Sequence, residues 1–462
     1  MRSFHLLLVT VTAKVFILGP PGLKAEMQSR NPGLGEVKAS LGNFGNPPYG
    51  TSIVGRAFYD KHNPYVCDPV TLNFADEPDT VSVPILMSKR GGCTFAQKAR
   101  WAENAGAKAL LVVDNVDELV EFVVMTDSGY GGNIQIPSFL VGKRDGEEVL
   151  RYVEQLREEV VVKLQFEVRK NERVRMELWF SPNEQRANSF LSDFSPYGRE
   201  FPLSHLNFTP HYALWNCREC LDSKFTLDHP DCISGGRYCA PDPDGTGPAK
   251  GRDVILEDIR EICVFEQSLR KETYLLWMDY MREFNATCVG NADFSEKCSN
   301  LAMKSAKINI KDVNTCFNRS FTGQSISKDD NSLMKREKDS WNDQSTGLYP
   351  SILLNSVMYR GDWEGLHVAK TICASFFSAP SICEKLDTLS GRENQAEAEG
   401  RVSTSLAVVI VAIVLLVIVC VLVGYRMYLG RELKETMNQQ VSLAVSQYRA
   451  LGGEAELEAR NR

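Results

Sequence analysis

The stretch VPILMSKRGGCTFAQKARWAENAGAKALLVVDN, residues 83–115, reads as strand, glycine turn, helix and strand in succession. VPILMSK is a short apolar run suited to a buried strand, and RGGCTF supplies the turn. In AQKARWAENAG, Ala96, Ala99 and Ala102 recur at helical spacing until Gly106 stops the helix, and ALLVVDN is a second strand. Farther along, IQIPSFLVG, a charged helix over Lys143–Arg157 and the alternating VVVKLQFEV complete an α/β unit of about 130 residues, an ordinary domain size. This segment has no HExxH zinc helix, no GxSxG elbow and no Walker loop, and His62 is its only histidine. A binding module is the expectation.

The chain as a whole is 462 residues long, enough for roughly three domains at ~150 residues each. A net charge of −7 and the lack of any Lys/Arg run exclude nucleic acid as an expected partner. The N-terminus begins Met1-Arg2, then an apolar stretch from Phe4 to Leu18 and small residues up to Ala25, which reads as a secretory signal over residues 1–25. LAVVIVAIVLLVIVCVLVG, Leu406–Gly424, is 19 residues without a charge, close to the ~20 that cross a bilayer. Glu393, Glu397 and Glu399 precede it, and Arg426, Arg431 and Lys434 follow, so the positive-inside rule expects a type I protein with a cytosolic C-terminus.

Cysteine usage fits that topology. Twelve of the 13 cysteines precede the apolar run and Cys420 lies within it, as expected for disulfides in an oxidising lumen. Cys67 and Cys93 are the only cysteines of the first domain and are expected to pair. Sequons at Asn207, Asn285 and Asn318 suit a lumenal face.

In the cysteine-rich middle, TPHYALWNCREC (209–220) runs an apolar strand into Cys217-x-x-Cys220. Zinc is not expected, because Cys232 and Cys239 do not supply a second pair at finger-like spacing, and no cofactor is expected either. A thioredoxin-like dithiol is a serious reading, since such a fold places a thiolate at a helix N-terminus. Pro350, before the strand-like SILLNSVM, would then be the cis-proline that faces it. RDVILEDIREICVF sets Val254, Ile255, Ile259, Ile262 and Cys263 on one helical face. The alternative is two ends of structural disulfides.

SLGNFGNPPYGT, RGGCTFAQKARWAENAGAKALLVVDN and IPSFLVG resemble the protease-associated domain of plant-type vacuolar sorting receptors. FTPHYALWNC, CISGGRYCAPDPDG, VILEDIREICVF, LLWMDYMREFNATC and YPSILLNSVMYRGDWEG resemble the central region of the same family. The resemblance implies α/β and α+β lumenal domains: a cargo-binding protease-associated domain over 37–168, and a disulfide-rich thioredoxin-like domain over 172–384. A linker (385–404), a single transmembrane helix (405–425) and a cytosolic tail (426–462) follow. It implies cargo contacts at Asn43, Phe44 and Arg90. Plant members match Cys217 but have nothing at Cys220; they carry another cysteine just before the match to Cys232, and Cys220 reads as that partner displaced. Where they place EGF-like repeats this chain has only the cysteine-free EKLDTLSGRENQAEAEGRVSTS, so calcium dependence is not implied.

The tail contains no RING-type cysteines, and Tyr448-Arg449-Ala450-Leu451 fits a Tyr-x-x-Φ signal for the medium subunit of a clathrin adaptor. The resulting expectation is a sorting receptor without catalytic activity. It would carry soluble vacuolar or lysosomal proteins from the Golgi and trans-Golgi network to endosomal or prevacuolar membranes. The alternative is a membrane-anchored thiol–disulfide oxidoreductase using Cys217 and Cys220. His211 and His367 are the groups expected to sense acidification.

Overall fold

A computed structural model describes residues 13–31, 35–72, 74, 83–127, 131–220, 229–344, 347–386, 416, 418 and 420–426. The first domain comprises β1 (Ala13–Gly19), α1 (Pro21–Arg30), β2 (Glu36–Val37), β3 (Ala39–Leu41), β4 (Ser52–Tyr59), β5 (Val83–Lys89), α2 (Phe95–Asn104), β6 (Ala109–Val113), β7 (Ser138–Val141), α3 (Lys143–Leu150) and β8 (Val161–Phe166). Among the described residues its strands form one sheet in the order β2-β1-β8-β4-β5-β6-β7-β3. β4 to β7 are parallel neighbours, whereas β8 and β3 run antiparallel to β4 and β7.

The strand–turn–helix–strand reading of residues 83–115 holds. Thr94 and Gln97 close a reciprocal capping box at the start of α2. Ala96, Ala99 and Ala102 are fully buried, their small side chains letting the helix lie close on the sheet beneath. Gly106, at φ +91°, ends the turn after the helix in a conformation that favours glycine. The charged helix expected to reach Arg157 is shorter: α3 stops at Leu150 and continues as a π-turn to Gln155.

The expected signal over residues 1–25 overlaps the first two elements of the fold. A cut after Ala25 would remove β1 and half of α1, yet Val15 and Ile17 are each 1% exposed in a strand paired to both β2 and β8. Leu23 and Met27 of α1 are fully buried. The apolar run up to Leu18 therefore ends in a sheet strand, and alternation of buried residues around Lys14, which pairs with Glu167 at 3.7 Å, is the feature that marks it.

The second domain adds β9 (Val174–Phe180), α4 (Gln185–Gly198), β10 (Leu206–Tyr212), β11 (Cys232–Ile233), β12 (Tyr238–Cys239), α5 (Gly251–Arg270), α6 (Leu275–Thr287), α7 (Glu296–Ser305), α8 (Ile310–Ser320), α9 (Ser332–Gln344), β13 (Ser351–Leu354), β14 (Val357–Met358) and α10 (Gly365–Ala374). Its main sheet has the order β10-β9-β13-β14, with β9 and β10 parallel and the remaining pairs antiparallel. Parallel neighbours need a crossover, and α4 provides it. The helices α5 to α9 fill the interval between β10 and β13, a thioredoxin-like layout with a helical insertion.

The apolar run Leu406–Gly424 lies mostly outside the described residues; positions 416, 418 and 420–426 are helical and exposed. Among the described residues no helix is long and apolar enough to cross a membrane. Tyr448 and Leu451 lie outside the described residues.

The apolar face expected for α5 is present, with Val254, Ile255, Ile259, Ile262 and Cys263 all buried. The same helix also buries acids. Glu257 is satisfied by Arg260 at 2.8 Å and by the Tyr280 hydroxyl, whereas neither Asp258 oxygen has a hydrogen-bond partner. Glu261 is fully buried with the Tyr212 hydroxyl as neighbour. Burial, reinforced by the charge of Glu257, raises both the Asp258 and the Glu261 carboxyls well above the usual carboxylate range. A folded-state pKa above the unfolded value contributes stability that is complete below the unfolded value near ~4 and is lost as pH rises through the folded value. Glu261→Gln should therefore gain stability on the parent as pH increases above ~4, by up to about 1.4 kcal/mol per pH unit. Denaturant melts of both proteins from pH 4.5 to 8 check this, and parallel curves would refute it.

Candidate functional site

GNFGNPPYG, residues 42–50, follows β3 and does not lie on a free surface. The Gly42 and Asn43 N–H groups donate to Ser138 O (2.9 Å) and Met125 O (3.1 Å), and the Phe44 ring, 1% exposed, is part of the core with Leu86, Met125 and Ile136. The outer side of the loop meets YRGDWEG, residues 359–365 of the second domain. Arg186 donates to Asn43 O at 3.0 Å while its guanidinium lies 4.8 Å from the centre of the Trp363 ring. Asp362 N–H donates to Gly45 O at 2.7 Å. The Tyr49 hydroxyl donates to Arg360 O (2.9 Å) and accepts from Arg360 N–H (3.0 Å). Gly361, at φ +122°, fits because a Cβ there would lie 2.7 Å from Pro47 Cδ. Burial pushes the Asp362 carboxyl up and the Arg360 guanidinium down. Of the residues expected to contact cargo, Phe44 thus has its side chain in the core and Asn43 its carbonyl at the domain junction.

Arg90 lies at the other end of the strands. Its N–H donates to Val113 O at the C-terminal end of β6, whereas Gly42 bonds to Ser138 at the N-terminal end of parallel β7. The sequence-predicted trio therefore does not converge. Arg90 Nη1 binds both Asp114 Oδ1 and Glu118 Oε1 at 2.8 Å, and the Asp114 side chain is fully buried. Beside it opens a cleft of about 370 Å³, with Tyr65, Lys89, Arg90, Asp114, Lys143 and Glu147 among its lining residues. Below the Arg90-Gly91-Gly92 turn, the fully buried Lys98 ammonium donates to Gly91 O at 2.6 Å and to Tyr65 O, and burial lowers its pKa to about 8. Sequence reasoning missed Lys143, Tyr65 and Lys98. The first step of α3 directly after β7 was the available signal for Lys143; nothing local marks Lys98 as buried.

The six disulfides join Cys67–Cys93, Cys217–Cys220, Cys232–Cys239, Cys263–Cys316, Cys288–Cys298 and Cys373–Cys383. Cys67 and Cys93 pair as expected, and Cys220 is the partner of Cys217. Cys217 and Cys220 do not occupy the place of a thioredoxin-like dithiol. In a thioredoxin-like fold the dithiol belongs to the turn between the first strand and its helix, which is Ser181–Glu184 between β9 and α4 and holds no cysteine. Cys217 and Cys220 instead follow β10 and cap the β11–β12 hairpin, with Trp215 paired to Cys239 and Cys217 N–H bonded to Gly236 O at 2.9 Å. Pro350 does follow a cis peptide bond, but the register of Ser351 opposite Trp179 carries it toward the Ser181 turn. Among the described residues no group of three or more His, Cys, Asp or Glu is placed to hold a metal ion.

His211 is buried, stacked on Trp179 at 4.2 Å and 3.0 Å from Glu337 Oε2. His367 is buried on α10, and burial, aided by Lys370, lowers its pKa to about 4. That direction moves it away from the mildly acidic range in which the sequence leads one to expect a response, and Glu364 Oε2 lies 3.3 Å from its Nδ1. Asn207 lies on the edge strand β10, Asn285 on α6 and Asn318 near the end of α8.

The sequence matches the profile of the vacuolar sorting receptor thioredoxin-like domain over residues 174–373 and that of the PA domain over residues 54–149. Vacuolar-sorting receptor 1 of Pisum sativum is 31% identical over 379 residues, covering 76% of this chain and 59% of that protein. Vacuolar-sorting receptor 2 of Arabidopsis thaliana is 30% identical over 429 residues, covering 86% and 67%. The chain thus spans 59% and 60% of the length of two of the curated receptors it matches. Among solved structures, DsbA of Chlamydia trachomatis overlaps 49% of this chain and 87% of its own at 11% identity and a TM-score of 0.24, too slight a likeness to carry functional weight.

Phe44→Ala should destabilise the first domain by ~3–5 kcal/mol, the usual cost of deleting a buried ring. Tyr49→Phe should cost less, ~1–3 kcal/mol, by leaving the Arg360 peptide group unpaired at the junction. Denaturant unfolding measures both, and a Phe44→Ala protein as stable as the parent would return that side chain to the surface.

Proposed function

Because the chain belongs to the vacuolar sorting receptor family, we propose that it is a type I, single-span receptor that binds soluble cargo in the Golgi or endosomal lumen and sorts it toward a vacuole or lysosome-like organelle. The observation that carries the cargo assignment is the cleft beside Arg90. Both carboxylates bind the same guanidinium nitrogen, Nη1, which leaves Nε and Nη2 for a ligand. Asp114, fully buried, fixes the guanidinium in place, so little side-chain entropy is lost when cargo arrives. Lys89, Lys143 and Arg151 add further cations and Tyr65 an aromatic wall. A peptide segment bearing a carboxylate or exposed carbonyl groups fits such a mixture. Binding and release require no catalytic step. The linked Cys217–Cys220 pair is the one observation that favours an oxidoreductase, and its place after the second strand weighs against that reading.

Beyond the lumen, the apolar run Leu406–Gly424 would be the membrane span. Tyr448 and Leu451 would fill two pockets of an adaptor's medium subunit, with Arg449 and Ala450 extended between them. Asn207, Asn285 and Asn318 would carry lumenal glycans.

Arg90→Ala should weaken capture of soluble lumenal proteins by ~1–3 kcal/mol, whereas Arg90→Lys, which keeps a cation beside Asp114, should lose only the forked hydrogen bonds. Pull-downs with the folded variants test this, and equal recovery by Arg90→Ala and the parent would sink the cleft assignment. Tyr448→Ala should shift the protein to the cell surface while leaving cargo affinity unchanged. An unaltered steady-state location would make the tail motif incidental.

A further inference from the structure

We propose that the Cys67–Cys93 disulfide is a thiol–disulfide exchange site at which Lys98 stabilises the thiolate of Cys67 as it leaves. Lys98 is 0% exposed, and a buried ammonium is ordinarily paired with a carboxylate. This one meets two carbonyls, those of Gly91 and Tyr65, and a sulfur: Cys67 Sγ lies 3.7 Å from Nζ. A cation in that position favours the thiolate over the thiol. With a pKa of about 8 the lysine is mostly protonated at neutral pH, so its charge is available.

Access is built in as well. Both sulfurs belong to half-buried residues. Gly92, at φ +78°, stands over the bond, and a Cβ there would come within 2.9 Å of Cys67 Sγ. Cys373–Cys383 is likewise half-buried at both ends, but three of the other disulfides differ. Cys232–Cys239 and Cys288–Cys298 are buried at both ends. In Cys263–Cys316, Cys263 is buried and the Cys316 sulfur lies 3.8 Å from Glu266 Oε2, whose charge opposes a thiolate.

The co-reactant is a dithiol reductant. One of its thiolates attacks Cys93 Sγ, forming a mixed disulfide as the Cys67–Cys93 bond breaks and its electron pair goes to Cys67 Sγ beside the ammonium. The second thiol, deprotonated, attacks the reductant's own sulfur in the mixed disulfide and releases the Cys93 thiolate. The reductant leaves oxidised, and Cys67 and Cys93 are reduced, taking up the two protons that it gave. Arg90, Gly91 and Gly92 directly precede Cys93, and Tyr65 is two residues from Cys67. Opening the bond therefore frees the turn that borders the cleft, whatever the cleft holds.

The test uses the full-length chain in detergent. Brief exposure to glutathione, quenching with iodoacetamide and peptide mass spectrometry locate the mixed disulfide; it should sit on Cys93 with Cys67 alkylated. A mixed disulfide on Cys67 would overturn the proposal. With dithiothreitol at pH 7, Cys67–Cys93 should open before Cys263–Cys316 and the two buried pairs. Lys98→Met should slow that opening on the order of tenfold while leaving the other bonds unchanged, and Lys98→Arg should restore most of the rate. A Lys98→Met rate equal to the parent's would also overturn it. Should Lys98→Met fail to fold, the position of the glutathione adduct on the parent decides alone.

Discussion

Two loops without regular secondary structure satisfy each other's peptide groups across the junction of the two sheets. Gly45 O, Asn43 O and the N–H and C=O of Arg360 find their partners there. A buried peptide group left unpaired costs about as much as a lost hydrogen bond, so the loops have no inexpensive alternative to docking. Arg186 stacked on Trp363, the Tyr49–Tyr359 contact at 5.6 Å and the close approach of Gly361 to Pro47 shape the same contact. Because Phe44 anchors one loop in the first core and Asp193 accepts from Gly365 N–H at the end of the other, each core is bonded to the junction. The conspicuous sequence motifs GNFGNPPYG and YRGDWEG are explained by this contact before any ligand is considered.

The consequence for function is a separation of tasks within the first domain. One end of its parallel strands is committed to the second domain, and the other end, with Arg90, Lys143 and the Cys67–Cys93 turn, borders an open cleft. Ligands of α/β sheets tend to bind at the C-terminal ends of parallel strands, the end left open here. Electrostatics follow the same division. At the cleft a guanidinium is oriented by a buried carboxylate. In the second domain, α5 buries Asp258 without a donor for either oxygen, a burden only the neutral acid can bear cheaply.

Much of this was legible in the sequence. The alternation of VVVKLQFEV, the alanine spacing of α2 and the single pair of cysteines in the first domain determine their structures through local periodicity and simple elimination. What escaped depends on partners far along the chain. Residues 13–18 satisfy the apolar criterion of a signal core and of a buried strand equally, and their pairing with residues 161–166 leaves no local mark in the sequence. Cys217-x-x-Cys220 follows a genuine strand, but whether that strand is first or second in the sheet is a property of topology. The family resemblance implied a cargo contact at Phe44, while its burial is decided by Met125, Ile134 and Ile136. Asp258 and Glu261 fall outside the apolar face read from the sequence of α5, and the helix is enclosed there too.

The pairing of β1 with β8 also sets a clock for biosynthesis. Ala13 has Phe166 as its partner, 153 residues later in the chain (166 − 13). At ~5–20 residues per second, β1 waits roughly 8 to 30 seconds after its own synthesis before β8 is complete. During that time its edge is an unpaired row of peptide groups beside apolar side chains, the kind of surface that invites pairing with another chain. Completion of the first sheet is therefore tied to the emergence of its last strand.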